Sequence, residues 1–337
     1  MQRIVLGGVN LLNAASPIST VAVKVFLAWE PEEWEIGLWR GRLEALGASI
    51  AWPSKEPEGY REAEVLVMAP PPPWLREAVN ARFIQTISAG VDPRILGFAA
   101  KRGIKVASAK GCNAAAVAEM VFAHILALEK RIVELDSSMK RGEWVPYRRS
   151  TMLGDLLGKT MLIVGFGNIG LEVARRAEAF GIKVLAVARR PGVRGKWVVR
   201  PVDELEKMVG LADYIVVTLP LTEDTRGLIG RRVLSRAKKG AILVNVGRGP
   251  VVDEDALSEA LDEGRLRAGL DVWWSYPPSR DAPSRRGLHR HPAVLATPHK
   301  AGWTPLSKKR CVEFAASNVA RFLRGKQPLN LVGAQGY

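Results

Sequence analysis

Residues 157–190 read LGKTMLIVGFGNIGLEVARRAEAFGIKVLAVARR. A short apolar run, Met161–Val164, leads into Gly165-Phe166-Gly167-Asn168-Ile169-Gly170. A helical pattern follows, with Val173, Ala174, Ala177 and Phe180 apolar and charged residues interspersed. Gly181 ends it, and a second apolar run, Val184–Ala188, begins. Strand, glycine turn, helix, strand is the context in which GxGxxG marks a dinucleotide-binding βαβ unit rather than three unrelated glycines. Gly165 permits the tight turn, Gly167 lets a pyrophosphate approach the backbone, and Gly170 lets helix and strand pack closely. The helix N-terminus, at Asn168 and Ile169, offers free N–H groups and a positive dipole end to the phosphates.

The second strand sets the expected cofactor. NAD-binding versions of this unit carry an acid about 20 residues beyond the glycines, which holds the ribose 2′-hydroxyl. Here the strand ends Val187-Ala188-Arg189-Arg190, with no carboxylate. Two guanidiniums suit a 2′-phosphate, which they bind bidentately. NADP(H) is therefore expected in preference to NAD(H).

The chain has 337 residues, room for two domains, and its 47% hydrophobic and 25% charged content fits a sizeable globular core. No apolar run is long enough to span a bilayer, so no membrane partner is expected. Residues 1–20 hold one Arg and a short apolar stretch with a faint likeness to a secretory signal. They read as an uncertain extension, because a strand-like run begins afresh at Val21–Leu27. Two cysteines, Cys112 and Cys311, stand far apart, which reads as no disulfide framework and points to a reducing cytoplasm. No Cys/His cluster has zinc-like spacing, so no metal is expected. The net charge of +15 is spread along the chain without a basic tail or recognition module, so nucleic acid is not an expected partner.

Strands alternate with helices on both sides of the glycine motif, which indicates parallel sheets. Ahead of it lie Val21–Leu27, an amphipathic stretch at Trp34–Leu46, and Val65–Met68. The proline run Pro70–Pro73 precedes a short helix at Trp74–Ala81. Phe83–Ile87 enters Ser88-Ala89-Gly90-Val91-Asp92, then a helix to Arg102 and a strand at Lys105–Ala107. Asn113 reads as the cap of a long helix, Ala114–Leu135. Beyond the motif, strands are expected at Tyr214–Leu219, Ile242–Val246, Ala268–Val272 and Val294–Thr297, a loop at Ser275–His291, and a final helix at Pro305–Leu323.

Several ordered motifs together resemble the D-isomer-specific 2-hydroxyacid dehydrogenases, a family that includes metal-free, NAD(P)-linked formate dehydrogenases. They are SAGVD at 88–92, GCNAAAVAE at 111–119, GFGNIG at 165–170, TLPLTEDTRGLI at 218–229, NVGRGPVVDEDAL at 245–257, LDVWW at 270–274 and TPHKAG at 297–302. The resemblance runs from about Val21 to Pro328. It implies an α/β architecture with a doubly wound Rossmann cofactor domain, residues 112–302, inserted into a smaller flavodoxin-like substrate domain, residues 21–111 and 303–337. It also implies a homodimer packed through the helix Ala114–Leu135.

Two residues carry the expected chemistry. Arg248 follows the strand Ile242–Val246 at its carboxyl end, the end that faces ligands in open α/β sheets. A guanidinium there clamps a carboxylate and polarises the carbonyl beside it. His299 follows Val294–Thr297, and an imidazole suits proton transfer near neutral pH. Both match the family's catalytic positions. His124, on an apolar helix face, and His289 and His291, in an arginine-rich loop, read as structural or exposed. By resemblance, N–H groups of Ala89, Gly90 and Val91 bind the substrate carboxylate and Asp271 holds the nicotinamide carboxamide. Pro220, Thr225, Val246 and Gly302 line the cofactor by the same resemblance.

The departure lies at the third catalytic position. Hydroxyacid dehydrogenases pair the histidine with a glutamate a few residues after LDV; here Tyr276 stands at that place. A carboxylate would raise the histidine's pKa, whereas tyrosine only orients the ring. Asp281 and Glu313 are the acids that could substitute. Formate dehydrogenases also begin this stretch Asp-Val-Trp and carry a non-carboxylate before the proline. Formate oxidation needs no proton shuttle, Asn113 matches an asparagine that contacts formate, and Pro70–Pro73 falls at their substrate loop. Against formate, the long N-terminal extension is missing, and Lys300-Ala301-Gly302 differs from the usual Ile-Ser-Gly. The uncharged loop Ala69–Pro73 argues against a phosphorylated substrate. The expected activity is thus hydride transfer between NADP(H) and C2 of a small D-2-hydroxy or 2-keto acid, of the glyoxylate or hydroxypyruvate type. Formate oxidation and a dinucleotide-sensing binding protein with little turnover are the alternatives.

Overall fold

Strand and helix alternate into two sheets in the computed structural model, which describes residues 22–277 and 282–333. The extension at residues 1–20, Val21 and Asp281 lie outside the described residues. The first sheet holds β1 (Val23–Leu27), β2 (Ala48–Ala51), β3 (Val65–Met68), β4 (Phe83–Thr86), β5 (Lys105–Ala107) and β14 (Leu331–Val332). Its order is β14-β5-β4-β3-β1-β2, all parallel except β14 on β5. The core order 2-1-3-4-5 is that of flavodoxin-like sheets. The second sheet holds β6 (Thr160–Val164), β7 (Lys183–Ala188), β8 (Gly192–Arg194), β9 (Trp197–Pro201), β10 (Tyr214–Val217), β11 (Ala241–Asn245), β12 (Leu266–Leu270) and β13 (Val294–Ala296). Its order, β13-β12-β11-β10-β6-β7-β9-β8, reverses direction between β6 and β10, the switch point at which doubly wound sheets bind ligands.

The helices are α1 (Glu33–Leu43), α2 (Pro93–Ala100), α3 (Ala114–Glu129), α4 (Ile132–Lys140), α5 (Asn168–Ala179), α6 (Leu205–Met208), α7 (Arg231–Leu234), α8 (Glu254–Asp262) and α9 (Pro305–Leu323). They cover both faces of each sheet, so central strands such as β3, β10 and β11 are buried throughout. That is why those strands read as unbroken apolar runs rather than alternating ones. Ala315, Ala316 and Val319 of α9 pack into the core of the first sheet with Val25 and Val67, so the chain returns there after the second sheet. Among the described residues no helix is long and apolar enough to cross a membrane.

Five sequence expectations are corrected. The helix expected at Ala114–Leu135 breaks at Arg131, whose φ of 47° is left-handed. Lys130 N still donates to the Leu126 carbonyl at 2.8 Å, and side chains brace the break, Lys130 Nζ donating to the Gly154 carbonyl at 2.7 Å and Arg131 Nε to Glu134 at 2.8 Å. Asn113 sits at the N-cap of α3 but makes no side-chain cap bond; its amide is turned toward Gly302. The short helix expected at Trp74–Ala81 is only a 3-10 turn, Pro73–Glu77, pinned by Trp74 stacking on Tyr60 at 4.3 Å. Strands β2, β8, β9 and β14 were not expected; β8 and β9 form a hairpin in a stretch just after β7 to which the sequence pattern assigns no element. Finally, Cys112 and Cys311 form a disulfide, with Cα atoms 5.0 Å apart across 199 residues of sequence. The return of α9 to the first sheet brings them together, which their spacing does not reveal.

Candidate active site

The glycine turn has the shape its sequence implies. Gly165 has a φ of 98°, and a methyl group on it would fall 2.9 Å from Leu219 Cδ2. A methyl on Gly170 would fall 2.5 Å from the Gly165 carbonyl oxygen, so α5 packs onto β6 only with glycine there. At Gly167 the same test finds nothing within 4 Å. The first and third glycines are thus demanded by packing, and the second faces open space. Gly167 is also the N-cap of α5 and supplies no side-chain cap, so the leading N–H groups of α5 face the opening. This cradle fits the pyrophosphate of a dinucleotide.

The cradle opens into a cleft of about 690 Å³ that runs between the two sheets. Pro220, Thr225, Val246, Asn168 and Ile169 line it with the glycines. Arg189 and Arg190 line its far end, just beyond β7. Sequence reading missed a third guanidinium there: Arg194, the last residue of β8, also lines the cleft. At the other end lie Ala89, Gly90 and Asn113. The Oδ1 of Asn113 is buried without a hydrogen-bond partner, and a methyl on Gly302 would fall 2.4 Å from its Nδ2. Val91 is half-buried and packs against the core beneath β4, while its neighbour Asp92 caps α2 by accepting from Arg94 N at 2.8 Å.

Arg248 is set by the turn after β11. Asn245 fixes that turn: its Nδ2 donates to the Arg248 carbonyl at 3.1 Å and its Oδ1 accepts from Gly247 N at 3.1 Å. A methyl on Gly249 would fall 2.2 Å from the Trp273 carbonyl oxygen, so Arg248 is held against the chain leaving β12. Its guanidinium crosses to the first sheet, where a methyl on Gly90 would fall 2.2 Å from Nη2. The guanidinium therefore lies on the SAGVD turn, and the two substrate-contacting elements expected from the sequence meet.

His299 sits in a loop held by Asp271, which is 1% exposed. The Asp271 carboxylate accepts from Thr297 Oγ1 at 2.6 Å, from Lys300 N at 2.9 Å and from Ala301 N at 3.0 Å. Between these anchors His299 takes a left-handed φ of 57°, a conformation uncommon outside glycine and found at functional sites. Desolvation of the ring and then the charge of Arg248 push its pKa below the usual 6.5, while Asp271 acts in the opposite direction. Among the described residues Asp271 is thus the acid whose charge reaches His299, and Glu313 lies in the third turn of α9. Tyr276 stands beside His299 with ring centroids 5.3 Å apart and planes tilted by 41°. Its hydroxyl does not turn to the imidazole; it accepts from Trp273 N at 2.9 Å. Burial raises the phenol's pKa, so Tyr276 stays neutral and packs the ring rather than charging it.

His124, which the sequence leaves as structural or exposed, is buried against β12, where a methyl on Gly269 would fall 2.6 Å from its Cβ. Thr297 gives its proton to Asp271, so its oxygen accepts from His124 Nε2–H at 3.3 Å. Burial pushes the His124 pKa down, which keeps it neutral for that role. A chain from α3 through Thr297 to Asp271 thus supports the His299 loop. Among the described residues no group of three or more His, Cys, Asp or Glu side chains could hold a metal ion.

A family model described as the NAD-binding domain of D-isomer-specific 2-hydroxyacid dehydrogenases matches residues 122–301. A glyoxylate reductase of Korarchaeum cryptofilum is 36% identical over 315 residues, covering 90% of this chain and 91% of that protein. A hydroxypyruvate reductase of Thermotoga maritima is 37% identical over 236 residues, covering 68% of this chain and 74% of the relative. Among solved structures, a D-isomer-specific 2-hydroxyacid dehydrogenase family protein from Aeromonas salmonicida superposes with a TM-score of 0.79 at 28% identity, covering 93% of this chain and 99% of that one. With its two sheets, glycine cradle and cleft, this chain belongs to the D-isomer-specific 2-hydroxyacid dehydrogenases.

Proposed function

We propose that the protein is an NADP(H)-preferring reductase of small 2-keto acids, of the glyoxylate or hydroxypyruvate type, working in the cytoplasm. The observation that carries this reading is the meeting of Arg248 with the Gly90 turn at one end of the cleft, while Arg189 and Arg190, which form no ion pair among the described residues, line the other. When bound, the nicotinamide dinucleotide supplies the hydride. Arg248 binds the substrate carboxylate and polarises the C2 carbonyl, with N–H groups of Ala89, Gly90 and Val91 as further anion donors. His299, as imidazolium, gives its proton to the carbonyl oxygen as C2 is reduced; in the reverse direction the neutral ring takes the hydroxyl proton. Asp271 holds the His299 loop and keeps lone-pair capacity for a carboxamide N–H. Arg189 and Arg190 take the 2′-phosphate. Pro220, Thr225, Val246 and Gly302 border the cofactor.

The relatives named as glyoxylate and hydroxypyruvate reductases support the substrate class. The homodimer belongs to the same proposal: Ile132 and Val133, within the segment 114–135 expected to pack there, are exposed apolar residues, as are Trp144 and Tyr147 beyond α4. Domain limits near residues 112 and 302 fit the two crossings between the sheets. The cytoplasmic reading no longer rests on the cysteines, because Cys112 and Cys311 form a disulfide.

The test follows NADPH oxidation with glyoxylate, hydroxypyruvate and other small 2-keto acids, and NADP reduction with formate. Turnover of the keto acids with NADPH, faster than with NADH, is expected. Turnover with formate alone overturns the reading, and cofactor binding without turnover of any of them marks a sensing protein instead.

A further inference from the structure

We propose that Arg194 completes a three-arginine site for the 2′-phosphate and fixes its geometry. This inference rests on the NADP(H) reading above. Arg194 is carried by the β8–β9 hairpin, which adds two strands to the sheet beyond β7. The hairpin is bound to the glycine turn: Trp197 of β9 packs on Phe166, ring centroids 5.9 Å apart. From β8 the Arg194 guanidinium makes two bonds. Nη1 donates to the Phe166 carbonyl, inside the glycine turn, and Nη2 donates to the Arg190 carbonyl at 3.2 Å. One side chain therefore ties the pyrophosphate turn to the turn that presents Arg189 and Arg190.

Both bonds go to neutral carbonyls, so the charge of Arg194 is not compensated by them. Among the described residues none of Arg189, Arg190 and Arg194 forms an ion pair, although this chain pairs many of its other arginines. The carboxylate on the wall of this cleft, Asp224, follows β10, on the opposite side of β6 from β7. Three cations gathered at one end of a cleft without an acid repel one another unless an anion joins them. A dianionic 2′-phosphate, adjacent to the pyrophosphate that the glycine turn cradles, is the anion of matching charge and reach. Arg194 thus has two effects. Its charge raises affinity for the phosphate, and its bond to Arg190 O holds the other two guanidiniums in register.

The test uses fragments that need no turnover. Binding of adenosine 2′,5′-bisphosphate and of AMP is measured by calorimetry on the full chain and on Arg194→Met, Arg194→Gln and Arg194→Lys. The native protein should bind the bisphosphate more than tenfold tighter than AMP. Arg194→Met and Arg194→Gln should cut that ratio about tenfold or more, the scale of one lost charge-assisted contact, with AMP affinity changed little. Arg194→Lys should restore part of the ratio. Gln retains a donor for the carbonyls, so its loss of preference separates charge from loop support. Equal weakening of both ligands, or an unchanged ratio, overturns the role of Arg194 while leaving the NADP(H) reading intact. A native protein that does not prefer the bisphosphate overturns both.

Discussion

Arg248 reaches across the cleft to the backbone of Gly90: a methyl group there would fall 2.2 Å from Nη2. Two sheets meet at that contact, and glycine is what allows it. The displaced atom in Gly90→Ala is the end of a flexible side chain, so folding should be almost unaffected. The guanidinium, however, must move by about an ångström from where it clamps a carboxylate. A shift of that size costs on the order of ten- to a hundredfold in kcat/KM. Steady-state kinetics beside a thermal melt checks this; a large fall in melting temperature with normal kcat/KM would place the role of Gly90 in folding instead.

The pH profile follows from His299. Keto-acid reduction needs the imidazolium, and the ring's pKa lies below 6.5 because desolvation and Arg248 outweigh Asp271. Reductive kcat/KM should therefore fall as pH rises through a value below 6.5, and oxidation should rise through the same value. Tyr276→Glu puts a carboxylate beside the ring and stabilises its charged form. Both limbs should then move to higher pH, each unit giving about tenfold more imidazolium at pH 8. Profiles that coincide for the two proteins would show that residue 276 does not govern the proton transfer.

Asp271 separates charge from geometry. Asp271→Asn retains one acceptor for the loop N–H groups but removes the negative charge that favours imidazolium. The reductive limb should move to still lower pH, with a maximal rate reduced by roughly tenfold as the loop loosens. Asp271→Ala frees Lys300 N and Ala301 N altogether, so the left-handed backbone at His299 loses its anchors. Its rate loss should be larger than that of the Asn variant. Equal losses in the two would mean that the hydrogen bonds to the loop contribute nothing.

What was legible in the sequence was whatever is written locally. The glycines at 165, 167 and 170 sit between a strand and a helix, so their roles follow from their order, and the structure gives each the packing expected of it. That Arg248 and His299 come near one another was legible, because each follows a strand at the end that faces ligands in open sheets. The central strands were legible as apolar runs, with errors of one or two residues at their ends. What was not legible depends on segments far apart in the chain. His124 gains its partner Thr297 only through the packing of α3 on β12. Cys112 meets Cys311 only because α9 returns to the first sheet. Arg194 stands in a stretch with no legible element and joins the cleft only once the hairpin packs against Phe166. The hydroxyl of Tyr276, expected to orient the histidine, instead accepts from the chain leaving β12, which no residue pattern announces.

The disulfide joins the segment just ahead of α3 to the buried face of α9, the two stretches by which the chain crosses between its sheets. A cross-link over so long a loop removes conformational freedom from the unfolded chain, typically stabilising by about 2–5 kcal/mol. Cys112→Ser should therefore lower the melting temperature by roughly 3–7 °C. Adding a reductant should destabilise the native protein by a similar amount and leave the Cys112→Ser variant unchanged. Cys311→Ser should match Cys112→Ser, and the double variant should be no worse than either, because all three remove the same bond. Thiol titration of the unfolded native protein without reductant should find no free thiol, and two thiols there, with a melting temperature indifferent to reductant, would show that the bond does not form.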